Sequence, residues 1–231
     1  MYSKFFKRFL DIVLSALALS ALSPVLVVLI VIGAIAMRGN PFFTQVRPGK
    51  KDKNGKEQMF RLIKFRTMSN ARGADGELLP DELRLGKYGA WLRSTSLDEL
   101  PELINIFIGQ LSIVGPRPFL VRDLVFMTDE QRRRHDVRPG LTGLAQVNGR
   151  NNITWEQKFE YDLDYIDAGI TFFGDVKIIF QTVAKVFKRS DTVRDGTVSD
   201  IDFGDWLMLN GELDQATYDK KQKEAKELLK V

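Results

Sequence analysis

Two adjacent carboxylates, Asp98 and Glu99, sit in the stretch Ser94-Thr-Ser-Leu-Asp-Glu-Leu-Pro-Glu-Leu-Ile-Asn-Ile-Phe107, a short distance before the turn Gly115-Pro-Arg-Pro118. The chain's single histidine, His135, and its lack of cysteine argue against a His-dependent triad, a Cys-based zinc site or disulfides. Leu100, Leu103, Ile104 and Phe107 recur at helical spacing, and Pro101 fits only the first turn of a helix, where backbone N–H groups have no partner anyway. The pattern predicts a helix starting near Ser96 to Asp98 with the carboxylates at its positive end. Ser96-x-x-Glu99 also matches a capping box, so the pair has a purely local reading as well. The rigid Pro-Arg-Pro turn and the Arg- and Gly-rich stretches downstream favour a carboxylate pair working among phosphates.

The elements that would position this pair begin with an apolar run. Residues Ile12 to Met37, 26 in a row, carry no charge, a length that exceeds what a bilayer span needs. The run is roughly twice an ordinary signal-peptide core and lacks a polar cleavage boundary. Both flanks are basic, with Lys4, Lys7 and Arg8 before it and Arg38, Arg47, Lys50 and Lys51 after it. The tendency of basic flanks to stay in the cytoplasm would hold both ends on one side. Ser23-Pro24 falls near the middle, where proline breaks the backbone ladder and serine can bond the freed carbonyl. Each arm then has roughly 12–14 residues, about 18–21 Å of helix, short of a hydrocarbon core of about 30 Å. A re-entrant hairpin is favoured over a plain span.

From Arg38 to Arg66 there are nine Lys and Arg against Asp52 and Glu57, a segment suited to nucleic acid, a membrane surface or a phosphorylated ligand. Pro48-Gly49 and Asn54-Gly55 punctuate it, and Met59 to Met68 reads as the second arm of a hairpin with Lys64 and Arg66 on one face. Ser69 to Gly86 is a polar loop with one helical turn at Asp81 to Leu85. Phe119 to Arg134 reads as a helix with Arg132, Arg133 and Arg134 suiting its dipole. Residues 137–152 form a Gly-rich loop with a short strand, in which Arg138 and Arg150 could complete an anion cradle. Trp155 to Asp167 and Phe172 to Lys188 read as helices. The second is amphipathic, with Val176, Ile179, Phe180, Val183 and Phe187 on one face, and either packs on the core or lies on lipid headgroups. The end holds aromatic Phe203 and Trp206, then a solvated Lys- and Glu-rich helix in which no chemistry is evident.

The stretches Phe5-Phe-Lys-Arg-Phe-Leu-Asp11, Ser23-Pro24, Phe43-Thr-Gln-Val-Arg-Pro-Gly49, Lys64-Phe-Arg-Thr-Met68, Arg93-Ser-Thr-Ser-Leu-Asp-Glu-Leu-Pro101, Val114-Gly-Pro-Arg-Pro118, Arg138-Pro-Gly-Leu-Thr-Gly143 and Gln146-Val-Asn-Gly-Arg150 together resemble the small monotopic phosphoglycosyl transferases. These bacterial sugar transferases begin glycan assembly on polyprenyl phosphate. The resemblance covers about residues 1–190 and implies a re-entrant membrane helix bent at Ser23-Pro24, anchoring to the cytosolic face of the bacterial inner membrane, and dependence on Mg²⁺. It implies that Asp98 attacks the β-phosphorus of a UDP-sugar, releases UMP and holds the phosphosugar until undecaprenyl phosphate takes it. Glu99 matches the second position of the pair. Lys64, Arg93 and Arg117 would bind phosphates, Gln146 and Arg150 are candidates around the nucleotide, Asp162 would support the pair, and Asp98 is the candidate metal ligand. The family's donors include galactose, glucose and acetylated amino sugars, and the Gln-Val-Asn-Gly-Arg stretch inclines the reading toward the last. Downstream glycosyltransferases are candidate partners.

The expected architecture is α+β and mostly helical, with residues 1–38 the membrane helix, 39–189 a small catalytic domain of short strands and amphipathic surface helices, and 190–231 an extension of unknown role. Two competing readings stay open: a basic membrane-surface scaffold, for which Asp98→Asn is silent, and a hydrolase of the same substrates, which would yield no lipid product. Nucleic acid is not expected as a partner, because paired aromatic stacking positions are scarce beside the apolar run.

Overall fold

The protein is described here by a computed structural model covering residues 1–149, 153–188 and 201–230. A π-helical turn at Tyr2–Phe6 leads into helix α1, Lys7–Ala36. A hairpin follows, β1 (Phe42–Lys51) with β2 (Glu57–Phe65), then short helices α2 (Asp81–Arg84) and α3 (Lys87–Thr95). The turn Leu97–Glu99 precedes α4 (Glu102–Ile108), β3 (Ser112–Val114), α5 (Val121–Leu124) and a 3₁₀ segment at Gln131–Asp136. The chain continues through β4 (Gly140–Thr142), α6 (Leu144–Asn148), α7 (Trp155–Asp167), α8 (Phe172–Lys188), α9 (Phe203–Leu209) and α10 (Gln215–Leu228). The described residues are mostly helical with two small sheets, as the sequence suggests.

Helix α1 runs unbroken through Ser23-Pro24 instead of parting into two arms. The reason is local. Pro24 has no N–H for the Ser20 carbonyl, and the Ser23 hydroxyl donates to that carbonyl at 2.8 Å, so the ladder is bridged by a side chain. One flank of α1 is covered along most of its length. The buried Asp11 carboxylate accepts the Ile113 N–H at 2.9 Å. Further along, Ala18, Leu19 and Leu22 pack on Phe60, Leu62, Leu103, Ile106 and Leu111, while Leu26, Leu29 and Ile30 meet Phe65 and Leu92. Near its end, Gly33 sits where an added Cβ would lie 3.0 Å from Pro41 and from the Tyr88 hydroxyl. The other flank is bare apolar surface, and α1 is long and apolar enough to cross a membrane by length and composition.

The β1–β2 hairpin is antiparallel, pairing Phe42 with Phe65 and Thr44 with Ile63. Its turn is closed by Asp52, whose side chain accepts the N–H groups of Asn54 and Lys56. The other edge of β2 is satisfied by a buried side chain: Asn105 accepts the Ile63 N–H at 3.0 Å and donates to the Arg61 carbonyl at 2.8 Å. Asn105 thereby fixes α4, and the turn before it, against the strand that carries Lys64.

Three sequence expectations need correction. On α4 the buried side chains are Glu102, Leu103, Asn105 and Ile106, whereas Ile104, Phe107 and Ile108 are exposed; the helix is apolar on two sides, so periodicity alone could not say which faces inward. Phe119 to Arg134 is not one helix, because Thr128 and Gln131 cap each other reciprocally and restart the chain as a 3₁₀ segment. The arginines there do not serve a helix dipole: Arg132 grips Glu57, Arg133 pairs with Glu130 and Asp167, and Arg134 pairs with Asp162. Third, Gly140 and Gly143 make close backbone contacts rather than an anion cradle. A Cβ on Gly140 would fall 2.1 Å from Gly115 N, and one on Gly143 would fall 2.1 Å from Gly115 O. They let parallel β3 and β4 close up beneath the Gly115-Pro-Arg-Pro turn, and Arg138 turns away to donate to the Gly109 carbonyl.

Candidate active site

Helix α3 ends at Ser96, which adopts a left-handed conformation (φ 55°) while its N–H caps the Leu92 and Arg93 carbonyls. This reverses the chain, and the Leu97–Glu99 turn presents both carboxylates toward β2, one turn ahead of α4. Pro101 occupies the N-cap position of α4, as its chemistry requires. The expected capping box is absent: Ser96 makes no side-chain cap, and Glu99 points away from the backbone. Glu99 Oε1 instead accepts from Lys64 Nζ at 2.9 Å and from Arg117 Nη2 at 2.7 Å. Lys64 also lies 3.1 Å from Glu102 Oε1, which has no aligned hydrogen bond and is held by charge alone.

The three neighbouring carboxylates consequently differ. Asp98 has neither a hydrogen bond nor an ion pair among the described residues, and burial, assisted by the charge of Glu99, pushes it up to about 6 against the pull of Lys64, Arg117 and Arg93. Burial would also raise Glu99, but Arg117 and Lys64 overcome it and hold that carboxyl well below the usual range. Burial and the Glu99 charge push Glu102 up to about 7. Environments that separate the titration of adjacent carboxylates mark candidate functional sites. Here Glu99 is locked as an anion, whereas Asp98 is open.

A single cavity of roughly 550 Å³ is lined by Lys64, Arg93, Asp98, Glu99, Arg117, Gln146 and Asp162. Seven candidates from five separate stretches of sequence thus converge, while Arg150 lies outside the described residues. Arg93 donates to the Thr67 hydroxyl at 3.1 Å and to Met68 Sδ at 3.0 Å. The buried Gln146 amide has hydrogen-bond partners for neither its oxygen nor its nitrogen, an unusual state for a buried group and one a ligand would relieve. Asp162 acts at one remove. Its Oδ2 grips Arg134 at 2.6 Å, Arg134 donates to the Arg117 carbonyl at 2.6 Å, and its guanidinium lies 3.6 Å from the centre of the Phe119 ring. Asp162 thus holds, through Arg134, the Arg117 carbonyl and the residue that follows the Pro-Arg-Pro turn.

The cavity also has cationic walls that the sequence reading did not assign to the site, Arg47, Arg84, Arg122 and Lys158, and Arg66, which alternation places on one face with Lys64, lines it too. The Nε of Arg47 is buried and unpartnered, and desolvation followed by the Arg117 charge pushes the guanidinium down to about 10. Lys64 and Arg66 share one face of the hairpin arm, and that face is the cavity side. Period-2 alternation was signal enough for these two, but nothing local marks Arg47 or Arg122.

As to the metal, no three His, Asp or Glu side chains are grouped to hold a cation by themselves among the described residues. The open Asp98 carboxylate is a hard oxygen donor in a cavity of cations. That fits a Mg²⁺ bound through one carboxylate, substrate phosphates and water, and does not fit an all-protein cage.

The family of bacterial sugar transferases matches residues 2–189. The chain belongs to it. Among curated relatives, this bacterial sugar transferase is 47% identical over 180 residues to the uncharacterized sugar transferase EpsL of Bacillus subtilis (strain 168), a match covering 78% of this chain and 86% of that protein. It is 41% identical over 197 residues to the UDP-glucose:undecaprenyl-phosphate glucose-1-phosphate transferase of Klebsiella pneumoniae, covering 79% of this chain but 40% of the relative. It is 34% identical over 197 residues to the exopolysaccharide production protein ExoY of Sinorhizobium fredii (strain NBRC 101917 / NGR234), covering 78% and 84%. The sugar transferase thus spans most of the two shorter relatives and about two fifths of the longer one.

Proposed function

We propose that this sugar transferase moves a sugar 1-phosphate from a UDP-sugar to undecaprenyl phosphate, with Asp98 as the nucleophile. The observation that carries the reading is the contrast between open Asp98 and cation-locked Glu99 inside one cationic cavity. An Asp98 oxygen attacks the β-phosphorus, the bond from that phosphorus to the bridging oxygen breaks, and UMP leaves with the electron pair. An oxygen of undecaprenyl phosphate then attacks the same phosphorus, the carboxylate of Asp98 leaves, and undecaprenyl diphosphate sugar results. Lys64, Arg93 and Arg117 offset phosphate charge in both steps. Glu99 keeps Lys64 and Arg117 in place, and an anion stabilised this strongly is a poor general base. When bound, Mg²⁺ would be held by Asp98 and would neutralise charge on the diphosphate and the leaving UMP.

The reading of a monotopic protein on the cytosolic face of the inner membrane is supported by α1 and the helices around it. From Asp11 to Gly33 is about 33 Å of helix, and elements of the catalytic domain cover one flank throughout, leaving no bare rod to cross a hydrocarbon core of about 30 Å. The exposed apolar side chains Ile104, Phe107 and Ile108 of α4, and Phe173 and Phe180 of α8, which are 81% and 71% exposed, add to the uncovered flank of α1. Patches of this kind mark membrane or partner contact, and they favour a lipid-facing side on α8, whose other side packs Ile178 and Ile179 on the core.

The test is UMP release by the full chain in detergent with Mg²⁺, undecaprenyl phosphate and a panel of UDP-sugars. Glucose and galactose belong in it because the relatives' names carry them, and acetylated amino sugars because of the Gln146 stretch. Lipid-dependent release together with a lipid-linked sugar supports transfer; release without a lipid product would make the protein a hydrolase, and silence with every donor would favour a scaffold. The acid limb follows from Asp98. The anion is the reactive form, so kcat/KM for the donor is expected to be flat above about pH 7 and to fall about tenfold per pH unit below about 6. Lys64→Met removes a cation that lowers Asp98 and should move this limb to higher pH. A profile level down to pH 4.5 would contradict the assignment.

A further inference from the structure

Residues 201–230 lie beyond the span matched by the family, which ends at residue 189, and the sequence reading found no chemistry in them. Yet Ile201 and Asp202 line the same cavity as Asp98. Their placement is built into the fold. The Asp123 carboxylate accepts the Phe203 N–H at 3.0 Å, the Trp155 indole donates to the Ile201 carbonyl at 3.1 Å, and Arg122 pairs with Asp202 Oδ2 at 2.8 Å. Phe203 is buried in a ring cluster, its centroid 5.1 Å from those of Trp155 and Phe159. Ala225 of α10 is buried against Val121 and Val125.

Asp202 therefore has one carboxylate oxygen committed to Arg122, and its Oδ1 makes no hydrogen bond among the described residues. A carboxylate there repels phosphate, and Lys64, Arg93 and Arg117 already offer the phosphates a cationic place beside Asp98. What Asp202 can take is a neutral group that donates hydrogen bonds, and a UDP-sugar carries such groups as the hydroxyls of its ribose and its sugar. We propose that Asp202 is a donor-recognition residue, accepting a hydroxyl of one of these rings, so that the extension outside the family match helps select the nucleotide sugar. This inference rests on the transferase reading above.

The experiment compares full-length wild type, Asp202→Ala and Asp202→Glu in detergent, recording kcat, the KM for several UDP-sugars, the KM for undecaprenyl phosphate, inhibition by UMP, and Tm. Asp202→Ala is expected to raise donor KM about tenfold or more, the loss typical of a hydrogen bond to a charged group, with kcat and acceptor KM within about twofold. Asp202→Glu should recover part of the loss, and Tm should barely move, because the half-exposed partner Arg122 makes the ion pair a weak stabiliser. Parallel weakening of UMP and of every donor places the contact on ribose; weakening confined to particular sugars places it on the sugar. Unchanged donor KM in an active Asp202→Ala enzyme overturns the inference alone. So does an equal loss in kcat and both KM values with a lowered Tm, which would make Asp202 a structural wall. A wild type that releases no UMP with any donor overturns the transferase reading, and the inference with it.

Discussion

Asp98→Asn is expected to lower UMP release by about 10⁴-fold or more, the scale seen when a covalent nucleophile is removed, while leaving the fold and membrane association intact. The side chains are nearly isosteric, and Asp98 makes no hydrogen bond or ion pair among the described residues whose loss would destabilise the chain. Removing its charge also relieves repulsion with Glu99, so stability should hold or rise. The loss of activity in a folded variant distinguishes a nucleophile from a helix cap, for which the same substitution would leave turnover, since asparagine caps a helix as well as aspartate does. Tm and UMP release measured on the same preparation check it.

Arg134→Ala should be the most destabilising single change around the site, costing about 3–5 kcal/mol, because it strips the partner from a buried carboxylate. Both side chains of the Arg134–Asp162 pair are about 1% exposed, and burial already pushes Asp162 up even with Arg134 present. The same change frees the Arg117 carbonyl and the Phe119 ring. Activity at low temperature should therefore fall as well, because the loosened turn carries Arg117 away from Glu99. Chemical denaturation of wild type and variant measures the first effect. Replacing both partners with apolar residues of similar volume should recover much of the stability and little of the activity, since a dry core tolerates the pair's absence but Arg117 loses its anchor.

The contrast between those two sites shows what the sequence could reveal. Asp98, Glu99, Pro101 and the Arg117 turn were legible because each obeys a local rule: adjacent acids, a proline confined to a first turn, a rigid Pro-Arg-Pro. The hairpin and its Asp52–Gly55 turn were legible for the same reason. The partners of Glu99 were legible only as candidates, since pairing with Lys64 across 35 positions is a tertiary fact. Asp162 could be named as a candidate but not explained, because its partner Arg134 looked like dipole compensation in a run of three arginines. The glycines near residue 140 were misread for a related reason: close backbone approach and anion binding ask for the same residue. Phe203 and Trp206 showed as an aromatic pair, but where they and Asp202 dock left no local trace, because its determinants, Asp123 and Trp155, are ordinary residues of other elements.

The most direct measurement is the intact mass of the full chain after incubation with UDP-sugar and Mg²⁺ in the absence of undecaprenyl phosphate. The account predicts a mass increase equal to one sugar phosphate on the wild type, lost on adding the lipid phosphate and absent in Asp98→Asn. An active preparation that never carries the adduct, or carries it on a residue other than Asp98, would contradict it.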